Sequence, residues 1–490
     1  MRVVRPLGAL LGLALALASP AVAQQAVARP TLQQQVESVL ARAGPGTRFG
    51  LVVATPDGEE LIAISPDSRF IPASNTKIFT TAAAFETLAG LNAPDVAAGT
   101  IVRLERSGRR AIDVVLEGRG DARLSSAPGC TSNCLSVLAD AVAAKTRRVH
   151  NVVGDDTLFP DERWSSGMSW NNIPTDSGTA ISALTLDDNE LPLRVTPGAL
   201  GEPPVIETEP YFTVDNRAIT VSQGDSDLSF ERLPGGTVVS LTGSIAVGAE
   251  PELLQLGIDD PAHYAAWRFK RMLEARGVRV TGGIAARHRV LIPSDTDEVL
   301  DRPSRMAPAG QALARLVPPP LAQDLWLTNK VSQNVHAELL LRRIGSRRGS
   351  GSVADGVAEV RAMLERAGVP RAAYDLSDGS GMSTYNRVAP RGMVTLLRWI
   401  AARPWGNAWR ATLPIGGLDG TLRKRFRGTA LQGRIFAKTG SLNATNALSG
   451  YMIASSGRTL VFATYANDVP EDVAATGAID SALELIALQN

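Results

Sequence analysis

Ser74 and Lys77 are the first residues of this sequence whose types and spacing suggest chemistry. They stand three positions apart in Phe70–Leu88, an apolar and alanine-rich segment with the pattern of a helix. On a helix, residues three positions apart share a face, so both side chains would point into one cleft. A neutral lysine can take the proton of a serine hydroxyl, and burial or a second cation favours the neutral form. The alternative for this pair alone is a helix-capping serine beside a solvated lysine.

Lys438, Thr439 and Gly440 form another motif, which we call the third motif because it comes last along the chain, at the end of an apolar segment with the pattern of a strand. A lysine and a hydroxyl on an edge strand can hold a carboxylate, and the glycine lets a substrate backbone come close. The backbone N–H of Ser441 would complete an oxyanion hole with the N–H of Ser74, at the positive end of the helix dipole. Alone, this tripeptide is also typical of an ordinary turn.

The pattern Ser-x-Asn begins at Ser169, Ser332 and Ser441, and we call the copy selected below the second motif because it lies between the other two motifs. The first lies in a loop with no regular element after it, and the last overlaps the strand already assigned. Ser332 directly precedes a strong helical pattern and lies between the other two motifs, so we select Ser332 and Asn334. The Ser332 hydroxyl would relay a proton to the leaving group, and the Asn334 amide would bind a substrate amide.

The elements that must position these residues are expected in two distant parts of the chain. Residues 47–70 have the pattern of a β-hairpin around the turn dipeptide Asp57-Gly58. Between residues 95 and 300, short strand patterns alternate with glycine-rich turns, which indicates mostly β material inserted after the first helix. Strands before and after this material can join one sheet with helices packed on it. The later helices are expected at 336–344, 353–367, 388–403 and 474–488, and the later strands at 434–440, 446–455 and 459–466.

Taken together, the three motifs match the set found in β-lactamases and penicillin-binding proteins. Over most of its length after residue 23, the chain resembles the bacterial D-alanyl-D-alanine carboxypeptidase/endopeptidases of the type-4 penicillin-binding-protein family. The segments that carry the resemblance are PASNTKIFTTAAAFETLAG, LEGRGDARL, VVGDDTLF, AISALTLDDNE, LSDGSGMSTYN, LPIGGLDGTLRKRF and AKTGSLNATNALSGY.

The resemblance implies an α+β fold with a β-lactamase/transpeptidase-like catalytic domain, in which helices flank a sheet. We expect this domain at residues 24–95 and 300–490. A large and mostly β inserted region of two subdomains is expected at residues 96–299. The resemblance implies no cofactor and no metal ion.

The resemblance also implies acyl transfer from a peptide that ends in D-Ala-D-Ala. Ser74 would attack, with Lys77 as the base either alone or with Ser332, and D-alanine would leave before water hydrolyses the acyl-enzyme. Lys438 and Thr439 would hold the terminal carboxylate. Cleavage of peptide cross-links is the related endopeptidase activity, and the balance of the two activities stays open. The expected partners are peptidoglycan stem peptides and β-lactam antibiotics.

Two positions depart from the family pattern, and one acidic residue extends it. Gln333 stands in the middle motif where relatives often carry aspartate, and we expect little effect because it lies between the two acting side chains. Relatives commonly carry an arginine soon after DGSG-x-S, where this chain has Thr384, with Arg387 three residues later. The preferred substrate side chain therefore stays open. Asp156 resembles an acidic position of the insertion that would pair with a substrate ammonium; the alternative is an aspartate that only shapes a turn.

Composition and charge argue against other classes of function. The 490-residue chain has 50 basic and 49 acidic side chains and no basic block, so nucleic-acid binding lacks electrostatic support. Residues 1–23 combine Arg2 and Arg5 with a short apolar run and a small-x-small cleavage signal. This pattern predicts a secretory signal peptide and a periplasmic protein without stable membrane insertion. A homo-oligomer is compatible with the sequence.

The cysteines and histidines predict no metal site. Cys130 and Cys134 would suit a short-loop disulfide in an exported protein, although the sequence leaves their pairing open. The four histidines are scattered along the chain and lack metal-ligand spacing.

Two other functions remain as alternatives to the peptidase. A β-lactamase would share all three motifs, but the long insertion and the absence of a Glu-x-x-Leu-Asn segment after the first motifs argue against it. A non-catalytic protein that binds muropeptides or antibiotic would keep the fold, but every motif side chain is present in this chain. Slow release of bound penicillin, together with production of D-alanine, would distinguish the peptidase from both.

Overall fold

The computed structural model describes Met1 and residues 30–108, 111–296 and 311–490. Except for Met1, the predicted signal peptide at 1–23 lies outside the described residues, as does the predicted domain boundary at 299–300. The helices are α1 (Leu32–Leu40), α2 (Thr76–Thr87), α3 (Leu135–Lys145), α4 (Pro261–Ala275), α5 (Pro293–Thr296), α6 (Ala322–Lys330), α7 (Asn334–Gly345), α8 (Val353–Arg366), α9 (Pro390–Ala401), α10 (Gly406–Arg410) and α11 (Ala475–Gln489).

The strands fall into several sheets, described below. They are β1 (Arg48–Ala54), β2 (Glu60–Ile64), β3 (Ile101–Ser107), β4 (Ala111–Glu117), β5 (Arg148–Val149), β6 (Val152–Pro160), β7 (Glu190–Thr196), β8 (Val205–Thr208), β9 (Thr213–Asn216), β10 (Ile219–Val221), β11 (Asp227–Glu231), β12 (Val238–Ala246), β13 (Glu252–Gly257), β14 (Arg279–Val280), β15 (Ile284–Arg289), β16 (Ala314–Arg315), β17 (Tyr374–Asp375), β18 (Arg387–Val388), β19 (Ile435–Leu442), β20 (Thr445–Ile453) and β21 (Thr459–Asn467).

One antiparallel sheet joins strands from before and after the inserted segment, in the order β19-β20-β21-β1-β2, and we name it the terminal sheet. The strands β1 and β2 form the expected hairpin, with Leu51 opposite Ile64. Gly58 in its turn has a φ of +109°, which glycine adopts without strain. The strand β21 pairs with β1, with Val52 opposite Ala463. The two groups of strands therefore meet in one sheet, as the sequence predicts.

Both faces of the terminal sheet are covered by helices, and β1 shows how the sequence achieves this. Successive side chains of a strand point to opposite faces. Val52 and Ala54 therefore pack into the layer that contains α2 and α6–α10, while Leu51 and Val53 pack towards α1 and α11. All four side chains are buried, which explains why the strand reads as a continuous apolar run.

The segment between α2 and α6 has an apolar core of its own, built from residues 102–316. Its largest sheet has the order β15-β6-β4-β3-β16, and α4 packs on β6 and β15. Smaller sheets form from β7, β8 and β13, from β9–β12, and from β5 and β14. The segment is mostly β, as predicted. Because β16 still pairs with β3, the chain stays with this second core to about residue 316.

Cys130 and Cys134 form a disulfide just before α3, which answers a question that the sequence leaves open. Across the described ranges, no helix combines the length and the apolar composition needed to cross a bilayer. In the same ranges, no group of three or more His, Cys, Asp or Glu side chains is arranged to hold a metal ion.

Candidate active site

Ser74 lies in a 3-10 turn, Ala73–Asn75, that leads directly into α2. Lys77 follows on the first turn of that helix, and the two side chains share a face, as predicted. Ala73 has a φ of +47°, a left-handed conformation that costs an L-residue about 1 to 2 kcal/mol. The backbone of Gly381 packs so tightly against this turn that a Cβ at position 381 would collide with the carbonyl oxygen of Ala73. Tertiary packing therefore holds the turn in its shape.

The amine of Lys77 is fully buried and connects the first two motifs. Its Nζ donates to Ser74 Oγ at 2.9 Å, to Asn334 Oδ1 at 2.6 Å and to the carbonyl oxygen of Ser380 at 2.7 Å. These acceptors satisfy the three donors of an ammonium, and loss of one proton leaves a lone pair that can accept the proton of Ser74. Burial lowers the pKa of Lys77 to about 7, although two nearby carboxylates oppose the change. Lys77 therefore exchanges its proton near neutral pH.

The third motif lies on β19, which is the edge strand of the terminal sheet. The buried Lys438 Nζ donates to Ser332 Oγ at 2.8 Å and to the carbonyl oxygen of Thr439 at 3.0 Å. Burial lowers the pKa of Lys438 well below its usual range, and the charge of Lys77 lowers it further. From the sequence, a second cation is expected to lower the pKa of Lys77. In the structure it is instead the pKa of Lys438 that a second cation lowers, and that cation is Lys77.

Two close contacts hold β19 against the turn that carries Ser74. The side-chain amide of Asn75 donates to the carbonyl oxygen of Lys438 at 2.8 Å. A Cβ on Gly440 would lie only 2.5 Å from the carbonyl oxygen of Pro72. Glycine at position 440 therefore allows close approach of the protein's own backbone, in addition to the substrate approach for which the sequence predicts it.

The second motif contributes its side chains from the turn between α6 and α7. Ser332 adopts a φ of +69° and accepts the hydrogen bond of Lys438. Asn334 begins α7, and its Oδ1 accepts from Lys77 while its Nδ2 donates to the carbonyl oxygen of Ser177 at 2.9 Å. Ser177 belongs to the inserted segment, which therefore contacts the site directly. A substrate amide that binds Asn334 would have to replace one of these two partners.

The positions that depart from the family pattern both make local contacts. Gln333 caps α7, where its side chain accepts from the N–H of Val335 at 3.1 Å. This local role fits the expectation that aspartate is not needed there. Arg387 donates to the carbonyl oxygens of Thr384 and Asn386, so its guanidinium lies against the backbone beside position 384.

An open cleft of about 380 Å³ lies over the motif residues. The hydroxyl oxygens of Thr421 and Thr439 are 2.7 Å apart on its wall, and Arg425 on the same wall pairs with Asp480. None of the three motifs includes Thr421 or Arg425, although both residues lie in LPIGGLDGTLRKRF, a segment that carries the family resemblance. The residues that line the cleft are Ser74, Ser332, Thr421, Arg425, Thr439, Gly440, Ser441 and Thr476.

Asp156 lies apart from the three motifs, on β6 of the inserted segment. Its buried carboxylate accepts from Ser182 Oγ at 2.8 Å and lies 3.0 Å from His288 Nδ1. Hydrogen bonds to Asp156 and Asp260 raise the pKa of His288 to about 10, so a cationic imidazole already neutralises this carboxylate. Among the described residues, Asp156 makes no hydrogen bond or ion pair with a motif residue. Its pairing with a substrate ammonium stays a prediction, and that ammonium would compete with His288.

Comparison with known proteins shows which family and which proteins this chain is similar to. The model of the D-Ala-D-Ala carboxypeptidase 3 (S13) family matches residues 32–488. The D-alanyl-D-alanine carboxypeptidase of Actinomadura sp. (strain R39) is 34% identical over 458 residues, which cover 89% of this chain and 81% of that protein. The D-alanyl-D-alanine carboxypeptidase DacB of Haemophilus influenzae is 25% identical over 439 residues, which cover 86% of each chain.

The fold is also similar to a solved structure. The crystal structure of penicillin binding protein 4 from Haemophilus influenzae matches with a TM-score of 0.75 and 21% sequence identity, over 92% of this chain and 98% of that chain. This likeness establishes the fold, and the family match and the relative from Actinomadura establish the descent. The chain belongs to the D-Ala-D-Ala carboxypeptidase 3 (S13) family.

Proposed function

We propose that this protein is a serine D,D-peptidase that cleaves the D-Ala-D-Ala terminus of peptidoglycan stem peptides through an acyl-enzyme on Ser74. One observation carries the proposal: Ser74 Oγ lies 2.9 Å from the Nζ of a buried lysine, Lys77, whose pKa is about 7. A lysine tuned in this way can act as a base at neutral pH. Family membership supplies the class of substrate.

Acylation begins when neutral Lys77 takes the proton of Ser74. The serine oxygen then forms a bond to the carbonyl carbon of the penultimate D-alanine, and the carbonyl oxygen becomes an oxyanion. We assign the N–H groups of Ser74 and Ser441 to stabilise that oxyanion. The C–N bond breaks as the proton held by Lys77 passes through Ser332 to the leaving amine, and D-alanine departs. Water later hydrolyses the ester, with the same groups acting on the water.

We assign the terminal carboxylate of the substrate to the wall formed by β19. Lys438 and Thr439 would hold it, beside Ser441 in the cleft. Because burial keeps the pKa of Lys438 low, a bound carboxylate would favour the charged lysine, and its binding would be coupled to uptake of a proton. Gly440 keeps this strand free of a side chain that would narrow the approach.

β-Lactam antibiotics are the second proposed class of ligand. Their strained ring amide would be attacked by Ser74 in the same way, but the leaving group would stay attached to the acyl-enzyme. A solved structure of the Haemophilus influenzae penicillin binding protein 4 is complexed with a β-lactam. We extend that binding to this chain as a proposal.

The division into domains and the location are also proposals. We place the catalytic domain at residues 24–95 and 300–490 and the inserted region at 96–299. The separate apolar core of residues 102–316 supports an insertion, with its last residues reaching slightly beyond the proposed boundary. Export to the periplasm is supported by the N-terminal sequence pattern at 1–23.

Three substrates test the proposed function on the full chain: labelled penicillin, a pentapeptide ending in D-Ala-D-Ala, and a cross-linked muropeptide dimer. We expect slow-release labelling of Ser74 and production of D-alanine, while cleavage of the dimer measures the endopeptidase activity. Rapid turnover of penicillin would instead identify a β-lactamase. Stable labelling without cleavage of either peptide would identify a binding protein.

A further inference from the structure

The loop 378–381 lies directly against Ser74 and Lys77, and the mechanism above uses only one of its atoms. That atom is the carbonyl oxygen of Ser380, which accepts from Lys77 Nζ at 2.7 Å. The N–H at the other end of the same peptide unit, that of Gly381, donates to Asp378 Oδ1 at 2.9 Å. A single peptide therefore connects the amine of Lys77 to the carboxylate of Asp378, with its negative end towards the amine.

A second carboxylate is attached to the same loop. Glu338 Oε1 accepts from the N–H groups of Gly379 and Ser380, at 2.9 and 2.8 Å. The carbonyl oxygen of Gly379 accepts from Thr80 Oγ1 at 2.7 Å, and Thr80 lies on α2 one turn after Lys77. Two adjacent peptides thus link two carboxylates to two neighbouring side chains of the helix that carries the lysine.

Among the described residues, neither carboxylate has a direct counter-ion. Asp378 also accepts hydrogen bonds that shape its loop, from the N–H of Ser383, the side-chain amide of Asn386 and Ser165 Oγ. Asp378 is 2% exposed and Glu338 is 5% exposed. In the described part of the chain neither forms a salt bridge, and Glu338 Oε2 has no hydrogen-bond partner. Burial of a carboxylate without a direct counter-ion is costly. Burial and the charge of Glu338 raise the pKa of Asp378 and outweigh its hydrogen bonds, which lower it, so the site still disfavours the charged carboxylate. The ammonium of Lys77 lies on the far side of one peptide from Asp378.

We propose that Asp378 is a positioning residue for the reaction, which holds the amine of Lys77 at Ser74 and favours its protonated form through the peptide between Ser380 and Gly381. Glu338 supports the same effect from α7. The inference rests on the proposed function, because it concerns the base of that reaction.

The electrostatics have the sign that this role needs. The charged groups that face Lys77 are Asp378 in the loop, Glu338 on α7 and Lys438 on β19. Burial lowers the pKa of Lys77 to about 7, and Asp378 and then Glu338 counteract that lowering. Burial and the charge of Glu338 raise the pKa of Asp378 to about 6, so Asp378 is charged where Lys77 titrates. The carboxylates thus keep a buried lysine basic enough to take a proton.

The rate of Ser74 acylation by labelled penicillin, measured against pH, tests this role. Acylation needs neutral Lys77, so the wild-type rate should rise with a midpoint near the lysine pKa of about 7. In Asp378→Asn the midpoint should move to lower pH by about one unit, because a nearby negative charge is lost. Glu338→Gln should shift it in the same direction by less. This second variant keeps both hydrogen bonds of Oε1, so its shift reports charge alone.

Asp355→Asn is the matched control. Asp355 is also a fully buried carboxylate, but it lies in the first turn of α8 and accepts from Ser350, which precedes that helix, so its variant should keep the wild-type midpoint. An unchanged midpoint in Asp378→Asn, even with a lower rate at every pH, overturns the inference. If that variant does not fold, Glu338→Gln decides in the same way. Wild-type protein without labelling at any pH would instead overturn the proposed function, and the inference with it.

Discussion

The side-chain amide of Asn75 donates a hydrogen bond to the carbonyl oxygen of Lys438, 2.8 Å away, although the two residues stand 363 positions apart in the sequence. This bond ties the turn that carries Ser74 to the edge strand that carries the third motif. Asn75 is fully buried, so water cannot replace the bond if it is lost. Together with the close approach of Gly440 to Pro72, this bond aligns Ser74, the proposed nucleophile, with the proposed carboxylate clamp on β19.

Replacing Asn75 with alanine should loosen this alignment because it removes one buried hydrogen bond to the carbonyl oxygen of Lys438. We expect the free energy of unfolding to fall by about 1 to 3 kcal/mol. The rate of acylation by penicillin should fall by about 100-fold, because small errors in position are costly. Urea unfolding and stopped-flow labelling measure the two effects. Asn407→Ala, at an exposed position of α10, is the control. Equal acylation rates in the two variants would argue against a role of the Asn75–Lys438 hydrogen bond in alignment.

Lys77→Arg should abolish acylation while keeping the positive charge. Guanidinium keeps its proton at any accessible pH and cannot take one from Ser74. We expect labelling by penicillin to slow by about 1,000-fold, within the range for loss of a general base. Lys145→Arg, at the exposed end of α3, should label like the wild type. Mass spectrometry of the acyl-enzyme gives the readout, with Ser74→Ala as the unlabelled reference; appreciable labelling of Lys77→Arg would assign the base elsewhere.

Gly381→Ala should damage the site more than backbone strain alone explains. Gly381 and Gly457 both have positive φ, at +92° and +89°, but a Cβ on Gly457 would meet no atom within 4 Å. The alanine variant at position 457 should therefore cost about 1 kcal/mol of unfolding free energy and keep its activity. At position 381 the new Cβ collides with the turn before Ser74, so both stability and labelling should drop. Thermal unfolding and penicillin labelling compare the pair, and similar losses in both variants would contradict this reading.

His336 should make the stability of the protein depend on pH. It is buried on α7, with Nε2 3.0 Å from Asp188 and Nδ1 3.1 Å from Asp324. Burial alone would lower its pKa, but the hydrogen bond to Asp188 and the ion pair with Asp324 raise it to about 9. Because this value exceeds the unfolded value of about 6.5, the stabilisation is complete below that pH and is lost as pH rises through about 9.

The contribution of His336 should be on the order of 3 kcal/mol. The free energy of unfolding is measured for the wild type and for His336→Gln at about pH 6 and at about pH 9.5. At each pH, the difference between the two proteins gives the contribution of His336. That difference should shrink towards the higher pH. His150→Gln, on the surface of the inserted segment, should follow the wild type, and a wild-type-like pH dependence in His336→Gln would rule out the effect.

The family resemblance and the α+β fold predicted from the sequence are confirmed by the family match and by the fold of the Haemophilus influenzae protein. The predicted bounds of α7, α8, α9 and α11 differ from the structure by at most two residues. Their apolar patterns are long and regular, which makes such helices readable from local sequence. All three motifs contribute residues to one cleft, and the buried Lys77 and Lys438 donate to the serines that line it. The roles of these residues stay predictions.

Other features of the site depend on contacts that no local pattern contains. The left-handed conformation of Ala73 is imposed by Gly381, and nothing in an alanine indicates it. The proposed role of Asp378 depends on a loop that meets α2 across the fold, and the segment LSDGSGMSTYN alone does not show that contact. Asp156 pairs with His288, 132 positions later, so the sequence shows the carboxylate without its neutralising partner.

The terminal sheet has a consequence for when the protein becomes active during its synthesis. The hairpin β1–β2 emerges first, whereas its neighbour β21 is made only after the whole inserted segment. The core of residues 102–316 is continuous in sequence and can fold as a unit in the meantime. An unfinished chain then holds Ser74 without Lys438 and without Ser441, the proposed second donor to the oxyanion. Because β19, β20 and β21 are the last strands to be made, the nascent polypeptide can gain peptidase activity only after these strands have joined the terminal sheet.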